Sequence, residues 1–200
     1  MNESSTPKET PMKAVMWEVP PEIVELRRRT GADERDEVWD GVLHMGPSPN
    51  IEHQRIESDL ERQVRTLWSS RTGGEVLHRI NVSPGGDWKK NYRIPDLILR
   101  LLESRAIDRG EYVEGGPEVV VEILSPDDET YEKLPFYASI GVREVWVIDR
   151  DTKAVEVYSL AEGAYRLVAP DGEGWCASAV TGLQLRCALT RVELRWPNAS

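Results

Sequence analysis

From residue 51 to about 70 the apolar positions Ile56, Leu60, Val64 and Leu67 recur at spacings of three and four. That period belongs to a helix with one buried face, so a long amphipathic helix is predicted, ended by Gly73-Gly74. A shorter helix is predicted after Pro20-Pro21, stopped at Thr30-Gly31. Elsewhere the pattern is that of strands. Residues 38–45 read as a hairpin turning at Asp40-Gly41, and residues 75–82 and 92–101 as two further strands. A charged loop then leads through Gly115-Gly116-Pro117 into a run at residues 118–124 that reads as a buried strand. A helix within residues 131–140, a strand at 144–148, a turn at 149–153 and a strand at 154–160 follow. Alternating apolar residues near the C-terminus predict two or three more short strands. Strands outnumber helices, which places the chain in the α/β or α+β class.

Composition changes this picture little. The chain has 200 residues, 40% hydrophobic and 30% charged, enough for one domain over residues 13–200. Residues 1–12 are polar and read as a disordered tail without the apolar segment of a secretory signal. No apolar run is long enough to span a bilayer. Cys176 and Cys187 stand in no metal-like spacing and read as free thiols, so a cytoplasmic location is expected.

Charge narrows the function classes further. A formal net charge of −10 argues against a protein that coats nucleic acid non-specifically. It leaves metal-dependent chemistry open, because bound cations neutralise the carboxylates that hold them. The basic groups at Arg27 to Arg29 and at Lys89, Lys90 and Arg93 read as solvated charge.

Two acids stand where a strand should be apolar. In the run Val119-Val120-Val121-Glu122-Ile123-Leu124 side chains alternate, so Glu118, Val120, Glu122 and Leu124 share one face. A strand apolar on both sides is covered on both sides. An ionised carboxylate there costs several kcal/mol unless a cation offsets it. Glu122 therefore needs a lysine, an arginine or a metal ion. Asp96 follows Pro95 and opens the apolar run Leu97-Ile98-Leu99. If the two strands are neighbours, both carboxylates could converge on Mg²⁺ or Mn²⁺. The alternative is a pair of salt bridges to Arg93 or Arg100.

The segments PDLILR, VVVEILSP and YEKLPFYASIGVREVWVID, preceded by DEVWDGVLHMGPSPNIEHQRI, resemble a bacterial family of restriction-endonuclease-like proteins. The resemblance runs from about Glu37 to Ile148. It implies the PD-(D/E)XK nuclease fold, a restriction-endonuclease-like mixed β-sheet core flanked by helices, with the extra C-terminal strands added. It also implies a metal-dependent endonuclease acting on DNA, with Asp96 and Glu122 as the metal-holding acids. The superfamily places a lysine two residues after the second acid, where this chain has Leu124. The resemblance moves that role to Lys133 on the following helix, to activate water or neutralise charge. Glu37 matches a further acidic position and could add an outer ligand; His53 could polarise a water or contact a phosphate. For both, a plainer role stays open, a surface acid and a helix N-terminal residue bonding backbone. Leu124 in the lysine slot also leaves open a catalytically silent module that binds nucleic acid or a protein. Oligomeric state is not fixed by the sequence, which leaves a homodimer open.

Overall fold

The computed structural model describes residues 19–46, 50–126 and 128–197. The tail expected at residues 1–12 lies outside them. In chain order the helices are α1 (Pro21–Thr30), α2 (Ile51–Val64), α3 (Ser70–Thr72) and α4 (Leu134–Ser139). The strands are β1 (Glu37–Trp39), β2 (Val42–His44), β3 (Glu75–His78), β4 (Asn81–Ser83), β5 (Leu97–Arg100), β6 (Ile107–Asp108) and β7 (Tyr112–Glu114). They continue with β8 (Val119–Leu124), β9 (Glu144–Asp149), β10 (Val155–Ala161), β11 (Ala164–Leu167), β12 (Cys176–Ala177), β13 (Gln184–Ala188) and β14 (Arg191–Arg195).

The apolar run at β8 needs cover on both faces, and it lies inside a six-stranded sheet ordered β11-β10-β9-β8-β5-β3. β8 and β9 are parallel and joined through α4; β5 and β8 are antiparallel, with Leu97 opposite Val121. Val119, Val121 and Ile123 point into a core built with Ile56, Leu60 and Val64 of α2, Trp68, and Leu185 and Val192 of the three-stranded sheet β12-β13-β14. Val120 points the other way, towards Phe136 and Tyr137 of α4 and Val82 and Val113 of the sheet β4-β7-β6. Each such side chain, fully removed from water, contributes roughly 1.5–3 kcal/mol. The alternation read from the sequence is thus the division between two cores. The result is an α+β fold with a restriction-endonuclease-like mixed sheet, helices on its faces and added C-terminal strands.

The long helix starts where Asn50 caps it, its side chain accepting from the His53 N–H at 2.9 Å. It runs through a π turn at Arg65–Ser69, then α3, and stops at Gly73 with φ 70°. The β1–β2 hairpin turns at Asp40 and Gly41, both at positive φ, the geometry of a two-residue turn that matches strand twist.

Several predicted strands are corrected. The strand expected at residues 75–82 is two strands in different sheets, because Arg79 adopts φ 51° between β3 and β4. The strand expected from residue 92 begins at Leu97; Tyr92 and Arg93 make only single bridges, to Val38 and Val82. The charged loop after it contains β6 and β7, whose alternating charge reads as loop when taken locally. Four strands, not two or three, follow β10. Among the described residues no helix is long and apolar enough to cross a membrane. Both cysteines are free.

Candidate active site

Continuing the β5–β8 register by one step sets Asp96 opposite Glu122. Both are buried, at 8% and 4% exposure. They nevertheless face different partners, and the site divides into two halves.

In the first half, Asp96 Oδ2 accepts the Ile123 N–H at 2.7 Å, which ties it to β8. Its Oδ1 meets His53 Nε2 at 2.8 Å. The plainer role left open for His53 is present, its backbone N–H donating to the Asn50 cap; its ring, in addition, reaches Asp96. One helical turn later on α2 is Glu57, also buried. Candidate ligand atoms of His53, Glu57 and Asp96 lie within 4.8 Å of one another. Glu57 also accepts Arg79 Nη2 at 2.7 Å. Sequence reasoning missed Glu57. The signal was present, since it lies four residues after His53 and three before Leu60 on the buried stripe.

In the second half, Glu122 does find a lysine. Lys133 Nζ lies 3.2 Å and 3.3 Å from the two Glu122 oxygens and 2.9 Å from Glu37 Oε1. Tyr137, one turn after Lys133, donates its hydroxyl to Glu122 Oε1 at 2.5 Å. Glu37 is no surface acid: it is buried and accepts the Ile94 N–H and the Trp39 indole N–H, both at 2.8 Å. The arginines considered as partners are used elsewhere. Arg100 pairs with Glu75, and Arg93 is buried between the Trp39 and Phe136 rings, 4.2 Å and 4.1 Å from their centroids. Arg93 is accordingly not the solvated charge expected from its cluster.

Electrostatics follows from burial. Desolvation pushes the Glu122 carboxyl up to about 8 against the pull of Lys133, helped by the like charges of Asp96 and Glu37. Burial alone would lower the Lys133 pKa, but attraction to Glu122 and Glu37 prevails and raises it, so the ammonium persists. Burial, then Glu122, holds the Tyr137 hydroxyl far above its usual range, keeping it a donor. Tyr137 is aimed by α4 and Lys133 by the 3₁₀ turn Tyr131–Lys133 that leads into it, and the end of α4 seats on the approach to β8. There the Gly116 N–H donates to Ile140 O at 2.8 Å. A Cβ at Gly116 would come within 2.6 Å of that oxygen, so only glycine allows the contact.

A family model described as "Uma2: Putative restriction endonuclease" matches residues 20–190. The chain belongs to the Uma2 family. The crystal structure of a "putative nuclease belonging to DUF820" from Anabaena variabilis is similar in fold, with a TM-score of 0.55 and 19% sequence identity. That alignment covers 68% of this chain and 78% of the other. No curated protein matches the sequence. Lys133 reaches Glu122 from the 3₁₀ turn Tyr131–Lys133 that leads into α4.

Proposed function

We propose that this Uma2 protein is a metal-dependent endonuclease hydrolysing phosphodiester bonds in DNA, acting as a single domain. The observation carrying this reading is the juxtaposition of two buried acids, Asp96 and Glu122, with a lysine at one and a histidine–glutamate pair at the other. The donor set fits a divalent cation: two carboxylates and an imidazole in the Asp96 half, with Glu122 opposite Asp96. Oxygen donors suit Mg²⁺ and Mn²⁺, and the imidazole tilts the preference towards Mn²⁺. Asp96 and Glu122 would hold the ion, with His53 and Glu57 available beside Asp96. When bound, it would lower the pKa of a water and offset phosphoryl charge. The remaining roles fall to the chain itself. Lys133, kept cationic between Glu37 and Glu122, orients water or neutralises the developing negative charge. Tyr137 and Glu37 hold that ammonium and its acid in place.

A second reading is favoured by one specific feature: Glu122 already has Lys133 and Tyr137 as partners, so this half is satisfied without a metal. A silent nuclease-fold module would look like this. Plasmid nicking in Mn²⁺ or Mg²⁺ by the wild type and Asp96→Asn separates the two. Cleavage lost in Asp96→Asn supports the enzyme; metal-induced stabilisation without any nicking supports the silent module.

A further inference from the structure

Lys133 reaches Glu122 from outside the strand, on a long stem whose rotamer freedom opposes a fixed ammonium. Its second anchor is Glu37, and Glu37 is itself held by donors. Glu37 Oε1 accepts the Ile94 N–H at 2.8 Å and lies 2.9 Å from Lys133 Nζ, while Oε2 accepts the Trp39 indole N–H at 2.8 Å. An indole N–H only donates, so this bond fixes which carboxylate oxygen faces the ammonium. Glu37 and Trp39 stand two apart on β1, hence on one face of it. The pair β1–β2 is a separate two-stranded sheet, so no ladder registers Glu37 against β8. The Trp39 ring is fixed in its turn. His44, on β2, stacks on it with centroids 3.9 Å apart and planes 13° apart. Arg93 Cζ lies 4.2 Å from the centroid of Trp39 and 4.1 Å from that of Phe136. His44 Nδ1 meets Glu129 Oε2 at 2.8 Å. The stack therefore ends on Glu129, four residues before Lys133, and on Phe136, three after it. It clasps both flanks of the segment that carries the lysine. Trp39 belongs to neither hydrophobic core, so filling a core does not account for it.

We infer that Trp39 is a positioning residue for Lys133: its indole N–H, held in place by His44 and Arg93, orients Glu37, and Glu37 seats the ammonium. For its kinetic consequence the inference rests on the nuclease reading above and deepens it; the seating of the ammonium does not depend on cleavage. Without the indole N–H, Glu37 keeps its charge, but its buried Oε2 loses its donor and the carboxylate is free to turn. The ammonium then keeps one firm anchor, Glu122, in place of two. Lys133 acts on charge that develops in the transition state, so a loosened ammonium slows the chemical step and leaves DNA binding alone.

Trp39→Phe is the test, since it keeps an aromatic ring for the stack and removes the donor. The first readout is the Lys133 ammonium of the full chain without DNA, followed by proton–nitrogen correlation NMR and assigned by its loss in Lys133→Arg. In the wild type it should exchange slowly with water. In Trp39→Phe exchange should quicken by about tenfold or more, as for the loss of one hydrogen bond to a charged group. Lys153, buried against Glu52, is the internal reference and should not change. The second readout is plasmid nicking in Mn²⁺. The rate at saturating DNA should fall about tenfold, with the half-saturating DNA concentration unchanged. In Glu37→Gln, adding Trp39→Phe should cost nothing further, because the acid through which Trp39 acts is gone. An equal fall in the Glu37→Gln protein would make Trp39 merely structural and overturn the inference. Unchanged exchange or an unchanged nicking rate in Trp39→Phe would overturn it too, as would an ammonium that already exchanges freely in the wild type. If the wild type never nicks DNA, the nuclease reading fails and ammonium exchange alone decides the positioning. Should Trp39→Phe not fold, His44→Ala removes one wall of the stack and keeps the indole. It should also speed the exchange, and an unchanged rate is the contrary result.

Discussion

Glu122 on β8 and Glu144 on β9 are both buried acids on adjacent strands of one sheet, and they behave in opposite ways. Glu144 is 1% exposed and is surrounded by neutral donors. Val180 N–H reaches one oxygen at 3.1 Å, and Ser178 hydroxyl and Trp146 indole reach the other at 2.6 Å and 3.2 Å. Those bonds fasten the segment before β13 to the central sheet. Glu122 instead faces an ammonium and a phenol, with two further acids near enough to raise its pKa. A buried carboxylate is therefore not a site by itself. One matched to neutral donors is structural; one crowded by like charge and held by a lysine and a phenol is where the proposed metal site can be tested.

The sharpest break in that contrast is Lys133→Ala. It takes the cation from two buried acids, Glu37 and Glu122, and should cost roughly 3–5 kcal/mol at pH 8, measured by urea unfolding. The loss should shrink at pH 5, where the acids can take protons. Metal binding should survive, because an ammonium is not a ligand, but nicking should be lost. An unchanged stability would mean that Lys133 does not hold these acids.

The same substitution at the two acids sharpens the comparison. Glu144→Gln puts an amide NH₂ among the Val180 N–H, the Trp146 indole and the Ser178 hydroxyl, of which the first two can only donate, and should cost about 1–3 kcal/mol with the metal response intact. Glu122→Gln, a mimic of the protonated acid, should cost under about 1 kcal/mol at pH 7 and abolish the metal response. Equal costs at both positions would erase the distinction. In the wild type, Mg²⁺ or Mn²⁺ at about ten times its dissociation constant should add ~1.4 kcal/mol. No shift at millimolar concentrations of either ion would sink the metal site.

The same acid sets a pH dependence. The folded-state pKa of Glu122 is about 8, above its ordinary 4.5, so the folded state holds the extra proton between those values. Its contribution to stability is full below about 4.5 and is lost as pH rises through about 8. Without metal, the thermal midpoint should therefore slope downward from pH 5 to 8, and Glu122→Gln should flatten that slope. A slope of equal size in Glu122→Gln would assign it to another group.

The periodicity of α2, the hairpin at Asp40-Gly41 and the two-faced burial of β8 were legible from a few consecutive residues each. Local spacing decides which way neighbouring side chains point, and an acid inside an apolar run declares its own electrostatic cost. The sequence by itself thus marked Asp96 and Glu122 and required a partner for the latter, while the family resemblance pointed to Lys133. What it could not distinguish was Glu122 from Glu144, since each stands in a run of valine, isoleucine and leucine or tryptophan. Their partners come from far along the chain: Lys133 and Tyr137 for one, Ser178 and Val180 for the other. The same holds for His53 meeting Asp96, for Glu57 meeting Arg79, and for the strand broken at Arg79. Burial sets the need for a partner and is written in local pattern. The identity of the partner depends on which distant segments the sheet register and helix packing bring within hydrogen-bond reach, and only the tertiary structure decides that.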